Sequence, residues 1–302
     1  MSDSADDLAG LSAFAETARH AVAACVPLSM RDRAALLAAD GLLGILAPEE
    51  AGGLALDIRF AAPVMAAAGE RIATIAWSGQ VSTQSGRLSG TLGRAPLAGE
   101  ADLLLVDTTD GAALIALDAP GVAVLPAFGF DLEAPEHEVT LKDVTPLATL
   151  TADATARLRD DALLLWASAI EGAADACLAM TVEHVSTREQ FGKTLVSFQA
   201  LRHALARQKL AVEHIRAALA RHDALAARGA SEAALAHRVT FAAAVRFGAA
   251  SVESALQLHG GMGFTWDVPI HRYLRRVRAV EAQGNAAALH RGLALDLLHA
   301  NS

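Results

Sequence analysis

Aromatic side chains are scarce in this sequence: Phe, Trp and Tyr together make up 4% of its 302 residues. Hydrophobic residues nevertheless reach 53%, so the buried core has to consist mainly of Ala, Leu and Val. Ala and Leu are strong helix formers, and charged residues are limited to 20%. This composition excludes an intrinsically disordered chain and favours a mainly α-helical fold.

Cysteines and long hydrophobic runs are also few. The two cysteines, Cys25 and Cys177, lie far apart without a CxxC motif, which excludes a disulfide framework and indicates buried thiols in a reducing compartment. The longest apolar run, residues 162–170, is much shorter than the ~20 residues of a membrane-spanning helix. The acidic N-terminal segment resembles neither a secretory signal nor a transit peptide. We therefore expect a cytoplasmic protein without membrane insertion, and the net charge of −9 argues against a nucleic-acid partner.

Common signatures of nucleotide-phosphate and hydrolase sites are absent: the sequence contains no GxGxxG, GxxxxGK(S/T), GxSxG or HExxH. Its eleven histidines are scattered along the chain. Several lie on predicted helices among Arg and Glu, which predicts surface positions and no metal site: His184, His203, His214, His222 and His237.

Three regions follow from the hydrophobic pattern. For residues 1–98 the pattern predicts an N-terminal helical domain. Residues 99–155 predict a small β domain of four or five strands, because short apolar runs at 103–106, 113–117, 122–125 and 139–141 alternate with Asp, Gly and Pro turn signals. Residues 156–302 predict a four-helix bundle, in which one helix carries a row of mainly apolar residues four and three apart: Leu201, Leu205, Gln208, Val212, Ile215 and Leu219.

Two segments of the helical region carry residues suited to a ligand. Segment A, residues 188–199, reads REQFGKTLVSFQ and offers a guanidinium for paired hydrogen bonds to a pyrophosphate, an aromatic ring and an amide. Segment B, residues 257–265, reads QLHGGMGFT, and glycines this dense let a ligand approach the backbone. Taken alone, segment A also fits a plain helix–helix turn with a surface ion pair at Arg188, and segment B a glycine helix cap.

Together the two segments resemble the acyl-CoA dehydrogenase family, which has an R-x-Q-F-G-K…F-Q loop and a later Q-x-x-G-G-x-G-(F/Y) loop. Residues 41–53 resemble the family's G-x-x-G…P-E-E-x-G-G segment. The resemblance implies an acyl-CoA dehydrogenase-like, mainly α fold, with an N-terminal helical region, a small reduced β domain and a C-terminal four-helix bundle. It also implies FAD shared between two subunits, with segments A and B reaching toward the cofactor held by a neighbour. The implied FAD-binding residues are Arg188, at the pyrophosphate, and Gln190, Phe191, Gln199, Gln257, Gly260 and Gly261.

The family's catalytic base has no equivalent in this sequence. The α-proton of an acyl-CoA thioester is removed by a carboxylate, usually the glutamate of an R-D…E-G-T…I-Q-R stretch, and that position falls on Gly284 without a gap. The alternative position used by some members falls on Ala162. Glu281, one turn before Gly284, and Asp161 remain as substitutes.

The family's T-E-x-x-x-G-S-D-like segment for flavin and substrate is also missing. We therefore expect a subunit that completes the FAD site of a second, complete acyl-CoA dehydrogenase chain. The expected assembly is an α2β2 heteromer, similar to bacterial dehydrogenases of steroid-type CoA esters, that passes electrons to an acceptor. A self-sufficient homo-oligomer using Glu281 or Asp161, and a non-enzymatic helical scaffold, are the alternatives.

The basic cluster Arg272, Arg275, Arg276 and Arg278 is expected to form interhelical ion pairs with residues such as Glu253 and Glu281, or to attract cofactor phosphates.

Overall fold

The computed structural model describes Asp32, Leu36 and residues 73–77, 79–230 and 232–300. The predicted N-terminal helices and the segment at 41–53 therefore lie outside the described residues, apart from Asp32 and Leu36, which are helical. The chain divides into two compact units. The first contains residues up to 129 and 134–158, and the second contains residues 130–133 and 159–302.

The first unit is built from two four-stranded sheets. Its strands are β1 (Ala73–Ala76), β2 (Gln80–Gln84), β3 (Arg87–Pro96), β4 (Leu103–Thr108), β5 (Gly111–Ala116), β6 (Val122–Pro126), β7 (Glu136–Val144) and β8 (Ala148–Thr151). One sheet has the order β1-β4-β5-β8, with β1 parallel to β4 and the other pairs antiparallel. The other sheet is antiparallel throughout, in the order β2-β3-β7-β6.

The β region is larger than the sequence predicted. The four expected strands are confirmed as β4 to β7, but within the described residues strands are already present from Ala73, ahead of residue 99, and residues 73–151 contain eight described strands in place of four or five. The boundary at 98/99 was wrong because β2 and β3 contain Gln, Ser, Thr, Arg and Gly in place of an apolar run. In β3 only Leu88, Leu92 and Ala95 are buried, and register shifts on either side of Gly90–Leu92 break the period of two.

The second unit is helical. Its helices are α1 (Ala152–Thr187, shared with the first unit), α2 (Gln199–Ala226), α3 (Ala233–His259), α4 (Ile270–Gln283) and α5 (Ala286–Ala300). A short hairpin of β9 (Glu189–Gln190) and β10 (Lys193–Thr194) and a 3-10 turn (Leu195–Ser197) connect α1 to α2. The predicted bundle helices are confirmed, but the prediction missed α4. Its apolar residues Ile270, Leu274, Val277 and Val280 are four and three apart, a pattern hidden by the arginines between them.

A continuous aliphatic core joins the helices. The row on α2 faces this core: Val212 and Ile215 are fully buried, and the amide of Gln208 donates a hydrogen bond to the Ser254 hydroxyl at 3.0 Å. By length and composition, α1 and the span Leu235–Phe264 are apolar enough to cross a membrane. About half of each apolar window is buried inside the protein, as in core helices of a bundle. The absence of membrane insertion stays a prediction.

Candidate functional site

Segment A forms a tight hairpin directly after α1. The Arg188 N–H donates to the His184 carbonyl at 2.9 Å, and the Leu195 N–H donates to the Arg188 carbonyl at 2.8 Å. The two residues at the turn, Phe191 and Gly192, both have positive φ, +56° and +76°, which is the conformation of the two-residue turns that match strand twist. The turn therefore holds the Phe191 ring out from the protein, where 90% of the residue is exposed.

The polar side chains of segment A are exposed. Within the part of the chain that the structure describes, no side chain accepts a hydrogen bond from the Arg188 guanidinium, so the ion pair expected of a plain turn is not formed there. The Gln190 amide donates to the Glu189 carbonyl at 2.8 Å, and Gln199 is the exposed first residue of α2. The Phe198 ring contacts the edge of Phe191. Segment A thus presents a cation, an aromatic face and amides to solvent.

Segment B follows α3 and is held open by its glycines. Gly260 has φ +58°, a left-handed conformation that favours glycine, and a Cβ added at Gly260 or Gly261 would meet no atom within 4 Å. A Cβ at Gly263 would lie 2.8 Å from the Leu256 carbonyl oxygen, so this glycine is required for packing. Gln257 is exposed in the last turn of α3. The backbone at Gly260 and Gly261 is consequently accessible to a ligand.

The ends of α1 and α3, which lead into segments A and B, meet through a pair of histidine rings. The rings of His184, near the end of α1, and His259, the last residue of α3, stack with centroids 4.4 Å apart and an angle of 21° between their planes. Partial burial, followed by the nearby His259 and Arg188, lowers the pKa of His184 below its ordinary value. No sequence pattern indicates this pair, because the two histidines come together only through helix packing. His184 was predicted to occupy a surface position.

The position of the family's catalytic base is filled by another side chain. Gly284 follows α4, and a Cβ added there would lie 2.5 Å from Cε1 of Phe241 and closer still to its Cζ. Phe241 is fully buried, and its ring centroid is 6.1 Å from that of Trp166. No side chain fits at position 284 unless this ring moves.

The substitute carboxylates are engaged elsewhere. Arg278 donates to Glu281 Oε2 at 2.5 Å and also pairs with Glu253 on α3. Asp161 lies 3.8 Å from the His237 ring. Glu281 could reach a substrate only after its ion pair with Arg278 breaks, and Asp161 only after it leaves the His237 ring.

The basic cluster forms ion pairs, as one of its two interpretations predicted. Besides the pairs of Arg278, Arg272 contacts Glu133 and Arg276 contacts Asp131, whose side chain is nearly fully buried. Three of the four arginines therefore have carboxylate partners. This arrangement favours a structural role over attraction of cofactor phosphates.

The prediction that the helical histidines are surface residues was wrong for His222. This residue is 1% exposed, and its ring nitrogens lie 3.1 Å from Asp223 Oδ1 and 3.2 Å from Nε2 of His237. Alternation with Arg along α2 concealed its position, since the buried face of that helix also accepts polar side chains such as Gln208. Among the described residues, no group of three or more His, Cys, Asp or Glu side chains is arranged to hold a metal.

A two-sheet unit followed by a helical bundle, with exposed segments A and B at one bundle end, defines the acyl-CoA dehydrogenase fold. Residues 152–293 match the family model of the acyl-CoA dehydrogenase C-terminal domain. The chain is 30% identical over 285 residues to the acyl-CoA dehydrogenase FadE27 of Mycobacterium tuberculosis, a match that covers 82% of this chain and 74% of FadE27. The chain therefore belongs to the acyl-CoA dehydrogenase family.

Other relatives and solved structures agree with this assignment. The acyl-CoA dehydrogenase IpdE2 of Mycolicibacterium smegmatis is 38% identical over 149 residues, which cover 49% of this chain and only 44% of IpdE2. A variant of the Tcur3481-Tcur3483 steroid ACAD has a TM-score of 0.83 at 25% identity, covering 99% of both chains. The ChsE4-ChsE5 complex from Mycobacterium tuberculosis also has a TM-score of 0.83, at 24% identity, covering 95% of this chain and 97% of the other.

The residues of segments A and B fit the cofactor on which this family depends. FAD presents a pyrophosphate, which suits the guanidinium of Arg188, and a heterocycle, which suits an exposed ring such as Phe191. The space that side chains would fill at Gly260 and Gly261 is open. The donors and the accessible backbone are thus present together at one end of the bundle.

Proposed function

We propose that this chain is the non-catalytic subunit of a heteromeric, FAD-dependent acyl-CoA dehydrogenase. In this assembly a second, complete acyl-CoA dehydrogenase chain provides the base and the flavin-binding β domain. The present chain provides segments A and B to the cofactor of that partner. Bound FAD supplies the acceptor for the β-hydrogen during α,β-desaturation of an acyl-CoA thioester.

The packing at Gly284 is the observation that carries this proposal. A dehydrogenase that works alone needs a carboxylate positioned for the α-proton, and here the family position is glycine with the Phe241 ring in the adjacent volume. Glu281 is held by Arg278 at 2.5 Å. These contacts argue against the self-sufficient homo-oligomer that would use Glu281.

The intact segments argue against a purely structural scaffold. Arg188 would bind the pyrophosphate of FAD, and Gln190, Phe191 and Gln199 would lie beside it. The backbone at Gly260 and Gly261, with Gln257, would border the adenosine end. A scaffold has no need of an exposed Arg188 guanidinium that pairs with no carboxylate among the described residues, nor of a 90% exposed Phe191.

The substrate class and the assembly are inferred from relatives. The structurally similar proteins include a steroid ACAD and a complex of two different chains, ChsE4-ChsE5. We extend both features to this chain: a bulky steroid-type CoA ester as substrate, and a heteromeric assembly. An α2β2 stoichiometry, an electron-transfer acceptor and a cytoplasmic location, all expected from the sequence, complete the proposal.

Expression of this chain alone and together with a complete acyl-CoA dehydrogenase from the same host tests the proposal. We expect co-purification of both chains, flavin absorbance only in the complex, and reduction of an artificial electron acceptor only when both chains and an acyl-CoA are present. A yellow protein that oxidises acyl-CoA by itself would instead establish the homo-oligomer. A complex that never retains flavin, with any candidate partner, would establish the scaffold.

A further inference from the structure

We propose that His184 and His259 form a positioning pair whose uncharged, stacked rings hold the ends of α1 and α3 together and thereby align segments A and B for FAD. This inference rests on the proposed function. It adds a role for two residues that contact neither the substrate nor the flavin, and it makes cofactor retention dependent on pH.

The contacts of His259 connect the stack to segment B. His259 is 7% exposed, and its Nδ1 lies 2.9 Å from the Ala255 carbonyl oxygen, so this nitrogen carries a proton and donates it. A Cβ added at Gly263 would lie 3.3 Å from the Cβ of His259, which shows that the glycine loop packs directly against this residue. A shift of the end of α3 at His259 would therefore also displace the loop backbone.

The contacts of His184 connect the stack to segment A. The His184 carbonyl accepts the Arg188 N–H at 2.9 Å, so the two residues occupy consecutive turns at the end of α1. The titratable or charged groups that act on the His184 ring are His259, from α3, and Arg188, from the connection to α2. Both are basic, so among the groups that the structure describes, those acting on His184 oppose the addition of a proton to its ring.

The direction of the pH effect follows from this arrangement. Burial, His259 and Arg188 lower the pKa of His184 in the folded protein, so the unfolded chain binds the proton more readily. The contribution of the neutral stack to stability is complete above the ordinary histidine pKa of about 6.5 and is lost as the pH falls below it. Two imidazolium rings 4.4 Å apart would repel, and the ends of α1 and α3 would separate.

A tyrosine at position 184 keeps a flat ring for stacking and removes the titration. His214→Tyr is the matched control, because the His214 ring is also stacked on an aromatic ring, that of Phe247, with centroids 4.7 Å apart. It lies in the middle of α2, away from both segments. The three complexes, each with the partner chain, are equilibrated across about pH 5.5 to 8, and their flavin content is measured after gel filtration.

We expect the wild-type and His214→Tyr complexes to lose more than about half of their flavin below pH 6, and His184→Tyr to retain it. An unchanged profile in His184→Tyr would overturn the proposal while leaving the proposed function intact. If His184→Tyr does not assemble, His184→Phe replaces it under the same criteria. The thermal unfolding temperature of the flavin-free proteins provides a second readout. The decrease in unfolding temperature below pH 6.5 should be smaller in His184→Tyr than in His214→Tyr. Equal decreases in the two variants would reject the His184–His259 positioning pair even if no flavin is ever bound.

Discussion

The ring of Phe241 occupies the volume that a side chain at position 284 would need. A Cβ built on Gly284 approaches Cε1 of this ring to 2.5 Å, and Phe241 is itself fully buried among the bundle helices. The position that motif matching assigns to the catalytic base thus has no room for a side chain unless the Phe241 ring moves.

The first prediction concerns Gly284→Glu, which restores the family residue. We expect it to lower the free energy of unfolding by about 2–4 kcal/mol, because the buried ring must be displaced, and to confer no dehydrogenation on the isolated chain. Denaturant unfolding and an acceptor-reduction assay measure these effects. Gly292→Glu, on α5 where an added Cβ meets nothing within 4 Å, is the control and should be neutral or slightly stabilising.

The double variant Phe241→Ala/Gly284→Glu separates the steric effect from other causes. Phe241→Ala alone should lower the free energy of unfolding by about 3–5 kcal/mol, as other truncations of buried aromatic side chains do. In the Phe241→Ala background, Gly284→Glu should lower the free energy of unfolding by less than it does in the wild-type background. The coupling free energy between the two substitutions should exceed about 1 kcal/mol. Strict additivity of the two changes would show that the Phe241 ring is not what opposes a side chain at 284.

Arg188→Ala tests the cofactor role of segment A in the reconstituted complex. We expect flavin content to fall at least about tenfold while both chains still co-purify, because a charge-assisted contact to the pyrophosphate is lost and Arg188 forms no ion pair within the described part of the chain. Arg221→Ala is the control. Arg221 is also exposed and lies on α2, ~33 Å by helical rise from Gln199, the first residue of that helix. Equal flavin content in the two variants would remove segment A from the FAD site.

A second cluster stabilises the α1–α2 pair. Arg216 contacts Glu171 at 2.6 Å, Asp175 at 2.9 Å and Glu213 at 3.1 Å. We expect Arg216→Met to lower the free energy of unfolding by about 1–2 kcal/mol at low salt, and by less at high salt, because three carboxylates are left facing one another. Arg207→Met, at an exposed position on α2, should change it by less than about 0.5 kcal/mol.

The effect of Arg216→Met should also depend on pH. Burial raises the pKa of Glu171 in spite of the opposing Arg216, so the folded state loses stability as the pH rises through that pKa and the carboxylate becomes charged. Without Arg216 the pKa rises further, and the destabilisation should be larger at pH 7 than at about pH 4. A destabilisation that is independent of pH would indicate lost packing of the arginine stem in place of lost charge pairing.

Cys177 should be inert toward thiol reagents in the native protein. Its side chain is buried in the helical core, and burial raises the pKa of the thiol to about 12. In a Cys25→Ser background, we expect a disulfide reagent at about pH 8 to titrate no thiol until denaturant is added. Stoichiometric reaction without denaturant would mean that α1 opens locally on the time scale of the assay.

The sequence predicts the elements that are regular in their hydrophobic pattern. Strands β4 to β7 and helices α1, α2, α3 and α5 are all visible as apolar runs or as rows three and four apart. The polar strands β2 and β3 and the arginine-rich α4 escaped prediction, since their buried residues are widely spaced among side chains that reach solvent.

The residues of the candidate site divide in the same way. Motif matching identified segments A and B and the glycine at 284, because these are local in sequence. The His184–His259 stack and the Gly284–Phe241 contact join residues from different helices, so only the folded structure brings them together. Whether the chosen residues bind FAD stays a prediction, which the Arg188 experiment addresses.

The exposed aromatic side chains at the bundle end have a consequence for the cell that makes this protein. Phe264, the last residue of the glycine-rich turn, and Trp266 have 71% and 69% of their surfaces accessible, and Phe191 has 90%. Exposed aromatic rings of this kind favour self-association of free copies. If the proposed partner chain covers them, synthesis of the two polypeptides in step would keep the concentration of free copies low.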